Sequence, residues 1–495
     1  MSVGSTFRGP LYKPQSGWVG DVIPFYKDGK FWLFYLHDAR TGDEFTVGTS
    51  WYLVTTSDFV HYEEHGAVLQ HGTPEEQDWH CYTGSIIEAG GLYHLFYTGF
   101  NPHPKFRQNG TPLQAVMHAV SRDLVHWDKL PEDTFYAPPD RYERGDWRDP
   151  FVFFNPEAQE YWMLLAARTL DGSYRRRGCI ALCTSRDLRR WEVKSAFWAP
   201  RLYVTHECPD LFKLGDWWYL VYSSFSERFA THYRMSKDLQ GPWTAPANDT
   251  FDGRAFYAAK TCSDGVRRYV FGWIPTKTGD SDYGEWQWGG TMAVHEIVQR
   301  PDGSLGVRMP ESLRAYFSHS TRPAFSPECG TWSRVPPTGQ SYSRSDAPSH
   351  AGLIESDALL ADVPDSFALA LAEPLVDPCL ISGDVIFKEG TRGCGLVLRV
   401  GSDPDEAYYI RLEPQSQRMV FDQWPRKAPR GEHQWQIGGD KPFAVELERP
   451  VRLEPGKPYR MEVIVDGTAC VAYVAGQVAM STRLYSRRGG DGACS

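Results

Sequence analysis

No CxxC pair occurs in this 495-residue chain, although it holds ten cysteines. Cys179 and Cys183 are four apart, but no histidine lies near them. Neither a zinc ligand set nor a redox dithiol is spelled out, and a scatter of reduced, mostly buried thiols is expected. No metal and no organic cofactor is called for. A long apolar run is missing too, which argues against a membrane-spanning helix. The first residues, MSVGSTFRGPLYKPQSGW, lack the basic start and apolar core of a signal peptide, so a cytoplasmic location is expected. There is no basic stripe, and the formal net charge is −10, which disfavours nucleic acid or an anionic membrane as partner.

What the chain has in plenty is aromatic residues: 18 Trp, 26 Tyr and 26 Phe. Aromatics suit strands and also the flat faces of sugars, so composition alone does not separate fold from function. At 41% hydrophobic and 23% charged residues, the chain has the make-up of a globular protein. Its length suggests two large domains rather than one core.

Two short patterns recur. One is a Ser-x-Asp turn: Ser57-Asp58-Phe59, then Ser121 to Leu124, Ser185 to Leu188 and Ser236 to Leu239, each followed by Tyr or Trp. The other is an apolar, aromatic strand after a turn, found five times: 29–36, 91–99, 160–167, 216–223 and 267–274. None has helical spacing. Several strands per unit, repeated about every 50–70 residues, is the signature of a β-propeller, here with five blades. A tandem array of small domains is the rival, but no linker separates the copies. The expected organisation is all-β: a five-bladed β-propeller over 1–318, a Ser/Pro/Gly-rich connection over 319–350, and a β-sandwich over 351–495 built from some seven short strands.

Three of the units place an acid at the start of the strand before the recurring one. These are Asp21 in WVGDVIPFY, Asp149 in DWRDPFVFF and Glu207 in HECPDLF. An Asp before a strand is usually a turn or cap residue. Three acids at matching places in a propeller, however, converge around one axis. Gathered carboxylates raise one another's pKa, and glycoside hydrolysis needs such a pair: one carboxyl to protonate the leaving oxygen, one carboxylate to attack carbon or activate water. The Asp residues of the Ser-x-Asp turns read as structural.

At these residues the chain resembles glycoside hydrolase family 32, the invertases, inulinases and other β-fructofuranosidases. HECPDLF resembles its acid/base motif, WRDP at 147–150 its Arg-Asp-Pro motif, CYTGS at 81–85 its aromatic-Ser-Gly-Ser segment, and 114–127 its second-blade segment. The resemblance spans 15–310. It implies Asp21 as nucleophile, Glu207 as general acid then base, and Asp149 as a transition-state stabiliser gripping sugar hydroxyls, with Arg148 beside it. It implies retention of configuration, and a pocket lined by Trp18, His37, Asp38, Trp79, Tyr82, Ser85 and Trp288. The expected partner is a carbohydrate.

Two departures stand out. The family has Asn before the nucleophile and Pro-Asn-Gly after it, where this chain has Gly20 and Val22-Ile23-Pro24; His37-Asp38 stand near a usual Gln. An amide that would grip the sugar is missing while the acids remain, so catalysis is expected to survive better than sugar specificity. The chain also stops at GGDGACS, where the family's sandwich usually adds a strand. Three alternatives stay open: a fructosyltransferase or difructose-anhydride-type enzyme, an inverting arabinanase-type furanosidase, and a non-catalytic sugar-binding protein.

Overall fold

The computed structural model describes residues 6–334, 358–401, 407–423 and 447–485. It is all-β, with one short α-helix, Glu311–Tyr316, among the described residues. From residue 18 to residue 308 the strands follow one another as antiparallel runs. The first run is Trp18–Lys27, Lys30–Asp38, Trp51–Thr56 and His61–Leu69. The second opens with His80–Ala89 and Leu92–Phe100, the third with Tyr142–Asn155 and Glu160–Thr169, and the fourth with Glu207–Leu214 and Trp217–Ser224. The last is Tyr257–Ser263, Arg268–Lys277, Trp286–Gln299 and Leu305–Arg308. Hydrogen bonding makes four sheets of these runs. The first and last, with the short strand Thr6–Arg8 added at the edge beside His61–Leu69, fuse into a single nine-stranded sheet through one register pair, Val19 with Gly290.

Alternation explains the strands. In Lys30–Asp38 the buried Phe31, Leu33 and Tyr35 face one core, while Phe34 and Leu36 face another. Both faces of such a strand are covered, so its sequence reads as continuous apolar residues rather than polar-apolar alternation.

The Ser-x-Asp turns are structural, as their composition suggests. Asp123 Oδ1 accepts from the backbone N–H of Val125 and His126, and Ser121 Oγ from those of Asp123 and Leu124. In the first copy the hydroxyl is supplied by Thr56, not Ser57, because Thr56 holds the position matching Ser121. The turn puts Phe59, Leu124 and Leu188 at φ of 61°, 66° and 62°, and each buries its side chain.

Beyond residue 378 two four-stranded sheets share an apolar core of Ile410, Leu412, Met419 and Phe421 against Met461, Val463, Ala472 and Met480. Of the expected connection 319–350, the described part carries the strands Phe325–Cys329 and Trp332–Arg334. Residues 335–350, much of the expected strand PFAVELE and the terminal GGDGACS lie outside the described residues.

A polar seam joins the two halves. Asp252 accepts from the backbone N–H (2.8 Å) and hydroxyl (2.6 Å) of Ser481 and lies 3.0 Å from His295 Nε2. Arg483 donates to the carbonyls of Ile274 and Pro275 and to Thr291. Among the described residues no helix is long and apolar enough to cross a membrane.

Candidate active site

The opening strand of every run slips register against its neighbour, the third run also between Tyr142 and Trp147. The recurring slips lie between Val19 and Val22, Tyr82 and Gly84, Arg148 and Phe151, Glu207 and Asp210, and Tyr257 and Lys260. A β-bulge leaves residues unpaired, kinks the strand and re-aims side chains. Asp149, Cys208 and Ala258 sit in these bulges at φ of 57°, 50° and 49°, a region that costs a non-glycine residue of order 1 kcal/mol. At Gly84 the bulge presses so close that a Cβ would lie 1.9 Å from the Phe96 carbonyl oxygen. The outcome is a single cavity of about 950 Å³ to which the bulges bring Asp21, Thr83, Asp149, Glu207, Cys208, Tyr257 and Ala258.

The three acids do not share one environment. Asp21 is 9% exposed; its Oδ2 accepts from the Thr83 hydroxyl at 2.5 Å and its Oδ1 from the Trp273 indole N–H at 3.0 Å. Burial raises its pKa; those two donors oppose the rise and the charge of Glu207 adds to it. Asp149 Oδ2 accepts from the Cys208 N–H at 2.9 Å, and its own N–H donates to Thr98 Oγ1 at 2.7 Å. Burial raises Asp149 as well, against the pull of Arg148. Glu207 Oε1 accepts from Arg148 Nη2 at 3.1 Å, and Oε2 from the Tyr257 hydroxyl at 2.6 Å. Burial lifts Glu207 above the usual carboxylate range; Arg148 pulls it down, and Asp149 pushes it up. Arg148 is shared, since it also donates to Asp146 at 2.5 Å. Acid, base and electrostatic stabiliser are thus all available in one hollow.

Of the residues expected to line the pocket, His37, Asp38, Tyr82, Arg148 and Trp288 do so, and Trp18, Trp79 and Ser85 do not. The Trp18 ring makes cation–π contacts with the guanidinium groups of Arg40, at 5.2 Å, and Arg483, at 5.8 Å. Trp79 is buried behind the wall, its indole N–H donating to the Glu44 carbonyl and its ring against His71. Ser85 Oγ accepts from the Val152 N–H, tying the second run to the third, so it serves the frame. Thr83, Tyr257, Cys208, Asp146 and Trp273 escaped the sequence reading. By register the three acids hold successive rather than matching places in the bulge: Glu207 stands level with Arg148 and Tyr257, Asp149 level with Cys208 and Ala258, and Asp21 one residue further on, while Thr83 is the extra residue of the second run's bulge. Trp273 lies inside a recurring apolar strand and is fully buried, which gives no sequence signal for its bond to Asp21. Among the described residues no group of three or more His, Cys, Asp or Glu side chains could hold a metal ion.

A model of the glycosyl hydrolases family 32 N-terminal domain matches residues 12–305. The chain is 27% identical over 339 residues to sucrose-6-phosphate hydrolase of Escherichia coli, covering 63% of this chain and 67% of that protein. It is 26% identical over 323 residues to raffinose invertase of Escherichia coli, covering 61% of this chain and 64% of that protein. The chain therefore spans about two thirds of the length of these curated relatives. A GH32 beta-fructofuranosidase of Bombyx mori superposes with a TM-score of 0.67 at 17% identity, covering 97% of this chain and 89% of that one.

Proposed function

Because the chain belongs to the glycosyl hydrolases family 32, we propose that it is a retaining glycoside hydrolase that removes terminal β-fructofuranosyl, or closely related furanosyl, residues by double displacement. The observation that carries this reading is the meeting of Asp21, Asp149 and Glu207, from three separate runs of strands, in one sugar-sized cavity. In the first step the Asp21 carboxylate attacks the anomeric carbon while Glu207 gives its proton to the departing oxygen. In the second, Glu207, now ionised, takes a proton from water, and the water opens the sugar–Asp21 ester.

The surroundings support these roles. Neutral donors, Thr83 and Trp273, work against the rise that burial imposes on Asp21 without capping it with a cation, so the carboxylate, when ionised, stays available to carbon. Burial and the nearby Asp149 favour a proton on Glu207. Asp149, fixed by the Cys208 N–H, offers its remaining oxygen to sugar hydroxyls. The recurrence of a bulge in the opening strand of every run supports five blades around one axis, with the paired sheets beyond residue 378 as the sandwich. Transfer to a second sugar uses the same chemistry, with a sugar hydroxyl in place of water.

An activity screen tests the reading. Sucrose, kestose, inulin, levan, difructose anhydrides and arabinofuranosides are offered in turn, and the first-formed product anomer is read by NMR. The expected result is release of a β-configured furanose. A product of the opposite configuration supports the inverting alternative, and no turnover of any furanoside overturns the reading.

A further inference from the structure

The chain has glycine immediately before the proposed nucleophile, and the structure gives that glycine a neighbour. A Cβ at Gly20 would lie 2.3 Å from Cη2 and 2.6 Å from Cζ2 of Trp288, and 2.9 Å from the Leu36 carbonyl oxygen. The Trp288 ring therefore rests on bare backbone next to Asp21. It stays 41% exposed, lines the cavity, and meets the edge of Trp273, the donor to Asp21, at 6.0 Å. Where residue 20 would carry a side chain, an indole ring lines the cavity instead, a surface that suits C–H groups rather than hydroxyls.

Something has to hold this ring, because Trp288 sits where the backbone is weakly tied. The strand Trp286–Gln299 pairs with Trp18–Lys27 through the single pair Val19 and Gly290. Its register with Arg268–Lys277 slips between Pro275 and Lys277, opposite this segment. Gly289 has φ of 75°. Arg40 spans the gap from the other side. Its Nε donates to Asp38 Oδ2 at 3.0 Å and its Nη1 to Gln287 Oε1 at 3.0 Å. Its Nη2 donates to the carbonyls of Trp288 at 3.0 Å and Gly289 at 3.2 Å. The guanidinium plane also lies 5.2 Å from the Trp18 ring. One planar fork thus joins the end of strand Lys30–Asp38 to three consecutive residues of the facing strand, a task a lysine's single point charge cannot perform. The backbone at Arg40 adopts φ of 52° to aim the fork inward.

We propose that Arg40 is a positioning residue: it clamps the segment 287–289 and so fixes the Trp288 ring as a rigid wall of the sugar site beside Asp21. The inference rests on the hydrolase reading for its effect on turnover, but not for its effect on the ring. A wall that touches the sugar in both the ground and transition states acts on KM more than on kcat.

The test compares wild type, Arg40→Asn, Arg40→Lys, Trp288→Ala and the double variant Arg40→Asn/Trp288→Ala. Asparagine is chosen because it tolerates the left-handed backbone at this position. The readouts are kcat and KM on the best substrate of the screen, the near-UV circular dichroism of the tryptophans, and thermal stability. Arg40→Asn is expected to raise KM about tenfold with kcat within about threefold, and to lose the near-UV signal that Trp288→Ala loses. Arg40→Lys should behave like Arg40→Asn. On the Trp288→Ala background the second change should cost less than about twofold, since both act through one ring. Additive losses in the double variant, or full rescue by lysine, would overturn the proposal. If the wild type turns over no furanoside, the hydrolase reading fails and the dichroism decides alone: an unchanged spectrum in Arg40→Asn rejects the clamp, and a lost signal upholds it.

Discussion

Two buried aspartates, one in the cavity and one in the seam between the two halves, are treated in opposite ways. Asp252 is 2% exposed and Asp21 9%, and burial presses both toward the protonated form. In the seam, His295, Arg449 and Ser481 outweigh that pressure and leave Asp252 below the usual carboxylate range. In the cavity, Asp21 has only a hydroxyl, an indole N–H and a thiol near it, with Glu207 facing it, and it stays raised. A structural carboxylate is saturated with cations and donors. The carboxylate proposed to react is left short of them, and the fold bears the cost.

That contrast can be broken or sharpened by substitution. The largest effect belongs to the cavity. Glu207→Gln keeps the shape and removes the proton, so kcat should fall by about three to four orders of magnitude with far-UV dichroism unchanged. A loss under tenfold would refute the acid role. Next comes the seam. Asp252→Ala should strip His295 and Ser481 of their acceptor and cost about 3–5 kcal/mol of stability, measured by denaturant unfolding, with KM unchanged in the folded fraction.

The third effect is a shift of pH. Replacing Arg148 with Met removes the cation that pulls Glu207 down, so the alkaline limb of kcat/KM should move to higher pH, alongside a lower rate. The smallest effect tests the sign of the contrast. Asp149 has a raised pKa in the folded state, so its contribution to stability is fully present below the unfolded-state pKa and is lost as pH rises through the folded value. Asp149→Asn should therefore raise the Tm at neutral pH by about 1–3 °C, and the gain should vanish in acid. For the depressed Asp252 the sign reverses. Asp252→Asn should lower Tm at neutral pH, and the deficit should shrink as pH falls through the folded pKa.

Much of this was legible from residues alone, for a definite reason. The strands repeat, so Asp21, Asp149 and Glu207 align against a recurring strand in the sequence itself. His37, Asp38, Tyr82 and Arg148 come from the family resemblance rather than from the repeat. The bulges were not legible, because a register slip depends on the partner strand and leaves no period of its own. Hence the sequence points to Ser85 as a pocket residue, whereas the bulge turns Thr83, two residues earlier, into the hollow. Trp18 and Trp79 share their residue type with Trp288, and only packing shows that cations and histidines enclose the first two. The Gly20 departure reads in sequence as a lost amide; in three dimensions it is also the space into which Trp288 fits.

The most direct test of the central claim uses Glu207→Gln with an aryl β-fructofuranoside, whose leaving group departs without a proton. The covalent sugar ester should then form and persist. After acid quench, peptide mapping by mass spectrometry should find the sugar on the peptide containing Asp21. A sugar mapped to any other residue would contradict the account.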